Sequence, residues 1–142
     1  MRIFGLGIVV LLSGIGLSCS SSGENYYPVK GKVTYKNEPL AGALVTFHPQ
    51  GKTDLTTMVS TGLTQDDGSF TVETGGKSGM PAGDYIVTII CSETVKPKAG
   101  VITTGPPDSK DKLGGLYADK DKSAIKVTIK AGENQLEPFH LK

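Results

Sequence analysis

The stretch Pro28-Val29-Lys30-Gly31-Lys32-Val33-Thr34-Tyr35-Lys36 decides the fold. Val29, Gly31, Val33 and Tyr35 fall on one side of an extended chain, and Lys30, Lys32, Thr34 and Lys36 fall on the other. An apolar period of two with one polar side is a strand with one wet face. Asn37-Glu38 turns the chain, and Pro39-Leu40-Ala41-Gly42 leads into Ala43-Leu44-Val45-Thr46-Phe47-His48, where Ala43, Val45 and Phe47 share a face before Pro49-Gln50-Gly51 ends the run.

The same period continues downstream. A third strand is expected over Thr57 to Thr64, closed by Gln65-Asp66-Asp67-Gly68, whose Asp-Gly step supplies a turn with positive φ. Ser69-Phe70-Thr71-Val72-Glu73 then resumes with Phe70 and Val72 inward, and residues 74–79 form a loop. Tyr85-Ile86-Val87-Thr88-Ile89-Ile90-Cys91-Ser92 is the longest strand; apolar residues on both faces place it centrally. Lys96 to Lys122 has no period and reads as a long surface excursion, with some order near Leu113-Gly114-Gly115-Leu116-Tyr117. Ser123 to Lys130 alternates again with Ile125, Val127 and Ile129 on one side, Ala131 to Asn134 turns, and Glu137 to Leu141 is a terminal strand with Phe139 and Leu141 inward. About seven short strands separated by Gly, Pro and Asp turns predict an all-β, immunoglobulin-like two-sheet sandwich.

The N-terminus is of a different kind. Arg2 precedes an apolar run from Ile3 to Leu17 that is rich in glycine and shorter than the ~20 residues of a bilayer span, so residues 1–18 read as an export signal rather than a permanent anchor. The run ends at Gly16-Leu17-Ser18-Cys19, followed by Ser20-Ser21-Ser22-Gly23-Glu24-Asn25. This junction resembles a bacterial lipoprotein signal, with Gly16 where that family usually carries a large aliphatic residue. The resemblance implies that Cys19 is lipidated and becomes the first residue of the mature chain, and that residues 19–27 tether the domain to a membrane. Two acyl chains anchor stably where one does so only marginally. Ser20 stands where Asp would signal retention at the inner membrane, so the resemblance favours the outer membrane or the outer surface.

The 142 residues suffice for one domain, expected over 28–142, and their formal charge is only +1. Arg2 is the sole arginine, so the chain from Cys19 onward carries as many lysines as acidic residues. That balance excludes the basic footprint of a nucleic-acid binder. Two cysteines are too few for a disulfide scaffold or a four-thiolate metal site.

The ordered set Val29-Lys30-Gly31-Lys32-Val33, then 39–47 (PLAGALVTF), then 64–70 (TQDDGSF), then 81–87 (PAGDYIV) resembles the carboxypeptidase regulatory-like, or transthyretin-like, β-sandwich, and most closely small exported lipoproteins built from one such domain. That resemblance implies an accessory or adhesion module without chemistry of its own and names no ligand. The transthyretin-like fold also includes hydroxyisourate hydrolases, which need an arginine between two histidines and a Tyr-Arg-Gly-Ser end. This chain ends Phe139-His140-Leu141-Lys142 and lacks that arginine, so the activity is not expected.

Other candidates for chemistry each have a plainer reading. His48 and His140 sit opposite the inward Phe47 and Phe139 and read as exposed surface imidazoles rather than a metal pair. Asp66 and Asp67, with Asp54, could offer oxygens to calcium, but a hairpin turn explains the same residues. Gly75-Gly76-Lys77-Ser78 ends like a phosphate loop without its leading glycine, and reads as a turn. Cys91, on the inward side of the longest strand, is expected to be a buried and inert thiol. The alternating charges from Asp108 to Lys122 read as a solvated loop.

These readings describe a non-catalytic cell-envelope lipoprotein that needs no cofactor or metal. Its partners are a membrane through Cys19 and an envelope protein or polysaccharide. The alternatives are an accessory domain of a separate secreted hydrolase and a small-molecule carrier.

Overall fold

A computed structural model describes residues 24–51, 58–94 and 109–142. The regular elements among them are all strands, arranged in two sheets. The first sheet centres on β1 (Val29–Tyr35). β2 (Glu38–Pro39) and β5 (Ser69–Thr71) pair with it antiparallel along one edge, while β11 (Asn134–Gln135) and β12 (Phe139–Leu141) pair with it parallel along the other. The second sheet runs β7 (Lys77–Ser78), β6 (Glu73–Thr74), β4 (Ser60–Leu63), β3 (Ala43–Pro49), β8 (Gly83–Thr94). β10 (Lys126–Ile129) and β9 (Ser109–Asp111) share the far edge of β8.

The expected sandwich is therefore present, and its finer division into strands has physical causes. β5 and β6 are one run of chain that changes sheets at Val72, where Val72 N still donates to Val29 O of β1 but Val72 O accepts from Gly79 N. Such a strand closes one side of a sandwich. With β5–β6 and β11–β12 each taken as one interrupted strand, and the short β2, β7 and β9 set aside, the expected seven remain.

The inward residues follow the period-two reading. Val29 and Val33 of β1, Ala43, Val45 and Phe47 of β3, Phe70 and Val72, and Tyr85, Val87, Ile89 and Cys91 of β8 are all buried in one core. Its centre is aromatic: Phe47 lies 6.2 Å from Phe70 and 6.4 Å, edge-on, from Tyr85, and Phe70 stacks on Phe139 at 6.1 Å. Gly31 makes this arrangement possible, because a Cβ there would come within 2.5 Å of the Phe70 ring. The ring occupies the space that any larger residue on β1 would fill.

Several local expectations are corrected. Lys36 and Asn37, with φ of 52° and 67°, form the β1–β2 turn, one residue earlier than expected. Residues 74–79 are not a plain loop; Thr74 and Lys77 pair across a two-residue hairpin. Asn134 is the first residue of β11 rather than the last of a turn, since Pro28 O accepts from Asn134 N and Lys30 O from Leu136 N, drawing 134–136 into the sheet. Phe139 points inward as expected, but it is only half-buried because β12 is an edge strand of the first sheet.

The stretch from Ser109 to Lys122 departs furthest from a solvated loop. Ser109–Asp111 is a strand on β8, and Leu113 enters the core at 2% exposure. Its organiser is Asp111, whose Oδ1 accepts from Cys91 N and Leu113 N, both at 3.0 Å, and whose Oδ2 accepts from Gly115 N at 2.8 Å. One carboxylate thus replaces a strand carbonyl beside β8 and ties down the turn that Gly114 and Gly115 make with positive φ. Burial raises the Asp111 carboxyl, but the three backbone donors outweigh it and hold the group below the ordinary carboxylate range.

Candidate functional site

The sandwich distributes the candidate residues widely. Cys19 and the export segment 1–18 lie outside the described residues, as does Asp54. His48 lies near the end of β3 in the second sheet and His140 in β12 of the first, each on the outward side, so they do not meet. His140 is exposed and its Nδ1 hydrogen-bonds Thr34 Oγ1 at 2.8 Å. His48 is not the exposed imidazole expected from the sequence. It is half-buried, and its Nε2 hydrogen-bonds Thr88 Oγ1 of β8 at 2.9 Å. Burial, and then the nearby Lys120 ammonium, push its pKa below the ordinary histidine value of 6.5, so the ring is neutral at neutral pH.

Asp66 and Asp67 lie in the turn ahead of β5. Asp67 Oδ1 accepts from Ser69 N at 3.0 Å and from Ser69 Oγ at 2.6 Å, and these bonds lower its pKa. Gly68 has φ of 76°, and a Cβ there would strike Val33 O at 2.4 Å. The residues thus form a tight turn packed on β1; in place of the expected hairpin it carries the chain from β4 of the second sheet to β5 of the first, which do not pair with each other. Lys77 and Ser78 form β7, and Gly75 and Gly76 the turn before it. Cys91 is 5% exposed; burial pushes its thiol pKa up, and its Sγ faces Ala41 O at 3.6 Å. A thiol of raised pKa in a packed strand is a poor nucleophile.

A different feature emerges from register. On the outward face of the second sheet, Leu44 of β3 pairs with Leu63 of β4 on one side and Ile90 of β8 on the other. The three are 42%, 63% and 37% exposed, forming an aliphatic row straight across three strands. The next row on the same face is Thr61, Thr46 and Thr88, and His48 and Ile86 pair beyond it. Thr46 and Thr61 are half-buried, Thr88 is buried against His48, and exposed Glu73 of β6 extends the threonine row beyond Thr61. Single exposed aliphatics are ordinary; here three lie side by side in register. The out-of-phase aliphatics on three strands were visible in the sequence; their alignment depends on β3–β4 and β3–β8 pairing.

Comparison of the sequence with models of known protein families and with curated proteins gives no match. Among solved structures, the chain is similar to a 9R-lipoxygenase from Cyanothece PCC8801, with 12% identity and a TM-score of 0.42 over 82% of this chain and 16% of that one. It is similar also to a structure from Pseudomonas aeruginosa described as a "putative carbohydrate binding protein", with 10% identity and a TM-score of 0.43 over 82% of this chain and 89% of that one. The chain thus spans less than a fifth of the lipoxygenase. Likenesses this distant leave the chain's own strand order and register as the basis of its fold.

Proposed function

We propose that this protein is a non-catalytic binding module of the cell envelope, a single carboxypeptidase regulatory-like sandwich held to a membrane through lipidated Cys19. The observation that carries the binding reading is the row Leu63–Leu44–Ile90 with the threonine row beside it. An aliphatic and hydroxyl-bearing face without aromatic platforms suits a protein partner better than a sugar, because protein interfaces bury such groups against complementary side chains. The non-catalytic part rests on the side chains themselves. Asp111, Asp67 and Cys91 are engaged in holding turns and strands, and the single arginine lies in the segment expected to be removed.

Two measurements test the reading. Intact-mass analysis of the mature N-terminus should find a diacylated Cys19; a chain retaining Met1, or one starting after Cys19, removes the anchor. Capture from envelope extracts with the wild-type protein and with Leu44→Ser/Ile90→Ser should recover a stoichiometric partner with the first and lose it with the second. Equal recovery would refute the row as the binding surface, and retention on envelope polysaccharide instead of protein would refute the assigned partner class.

A further inference from the structure

The described chain begins at one end of the sandwich and is fastened there. Tyr27 N donates to Met80 O at 2.8 Å and Met80 N donates to Tyr27 O at 3.0 Å, making a single antiparallel bridge. Gly79, with φ of 92°, lets the backbones close up, since a Cβ there would lie 2.5 Å from Tyr27 O.

Three pieces of chain meet at this end: residues 24–28, residues 58 and 59 ahead of β4, and the β6–β7 hairpin. Ser60 pairs with Thr74, so Met58 and Val59 run on toward the hairpin turn, where the Met58 Sδ lies 2.6 Å from where a Cβ on Gly75 would sit. Lys77 Nζ stands 5.2 Å from the centroid of the Tyr26 ring. Met58 is 63% and Val59 47% exposed, while Tyr26 and Tyr27 are half-buried. Neither Met58 nor Val59 belongs to the core, and both project from the end at which the N-terminal segment enters. Among the described residues at this end, Glu24 and Glu73 accompany Lys77, and Lys30 pairs with Glu133 at 3.5 Å, so charges of both signs are mixed.

An apolar pair flanked by tyrosines and a lysine suits the boundary between lipid headgroups and acyl chains, where amphipathic rings and long cationic side chains settle. The chain outside the described residues sets the distance. Cys19 precedes Tyr26 by so few residues that a fully extended link spans about 25 Å at most. The opposite end of the sandwich, with the Lys36-Asn37 turn, lies a full β1 strand further away.

We propose that Tyr26, Met58, Val59 and Lys77 form a foot that rests in the interface of a lipid bilayer, so that the domain stands on the membrane with its aliphatic row directed sideways. The proposal uses the lipid anchor of the proposed function for proximity. With Cys19 held in the bilayer the contact is intramolecular, so even a weak intrinsic affinity populates it. Because the foot has no strong net charge, neutral lipid is sufficient.

The test uses the full chain, produced with its native N-terminal segment in a bacterial host and reconstituted into phosphatidylcholine vesicles carrying lipids with nitroxide groups on their acyl chains. A fluorophore is attached at Met58→Cys, in a second protein at Lys77→Cys, and in a third at Glu38→Cys at the opposite end; buried Cys91 remains unlabelled while the domain is folded. Quenching at positions 58 and 77 should exceed that at 38 by about threefold or more, because only the foot lies at acyl-chain depth. In the Met58→Cys protein, a further Val59→Ser substitution should reduce the quenching at 58. Vesicle flotation separates the two ways of failing. Protein that floats but is quenched equally weakly at all three positions overturns the foot and leaves the anchor intact. Protein that does not float overturns the anchor and the foot with it.

Discussion

Replacing Asp111 by alanine removes the acceptor for three backbone N–H groups at once. The Cys91 and Leu113 N–H groups are both partly buried, whereas the Gly115 donor is exposed and regains water more readily. Taking ~1–1.5 kcal/mol for each of the first two and ~0.5–1 kcal/mol for the third gives a loss of about 2.5–4 kcal/mol. Asp111→Asn keeps the shape but loses the charge and turns an amide donor toward one of the three N–H groups, for about 1–2 kcal/mol. The carboxyl is held below its unfolded value, so its contribution is fully present above about pH 4 and is lost as pH falls through the lower folded value. Urea unfolding of wild type, Asp111→Ala and Asp111→Asn at neutral and acid pH reads all of this. The gap between wild type and Asp111→Asn should narrow on acidification. A neutral-pH loss under about 0.5 kcal/mol for Asp111→Ala, or a gap unchanged by acid, would refute the role assigned to the carboxylate.

Three further outcomes are expected. Gly31→Ala should destabilise the domain by about 1–3 kcal/mol through collision with the Phe70 ring, and Phe70→Leu in the same chain should recover part of that loss in urea unfolding. Asn37→Gly should stabilise by about 0.3–1 kcal/mol, because the second turn residue already has φ of 67° and glycine meets no steric cost there; thermal unfolding reads the shift. Cys91 should resist aromatic disulfide reagents in the folded protein at mildly alkaline pH and react fully in denaturant, as its burial and raised pKa require.

Most of the sandwich was legible because period two is a strong signal when one face is buried. The inward sets of β1, β3 and β8 follow directly from it, and Asp67-Gly68 announces its own turn. The missed features depend on pairing between distant parts of the chain. Nothing near Val72 says that its N–H bonds to one sheet while its carbonyl bonds elsewhere. Asp111 looks like one member of a charge run, because its importance lies in three backbone donors that converge on it only after folding. His48 looked exposed because Thr88, its partner, is brought beside it by the β3–β8 register. Leu44, Leu63 and Ile90 are each visible as aliphatics out of phase with the core, but only the register lines them up.

Among the described residues the central strand of the first sheet is also the first strand, and its parallel partners are the last two, with Tyr35 opposite Leu141. Along that edge β1 cannot complete its ladder until nearly the whole polypeptide is present. Contacts so far apart in sequence make folding slow, because a long stretch must be ordered before they form. A chain that emerges N-terminus first therefore holds Val29 and Val33 without a finished sheet until residues 134–141 have followed. Completion of the first sheet is thereby tied to residues 134–141.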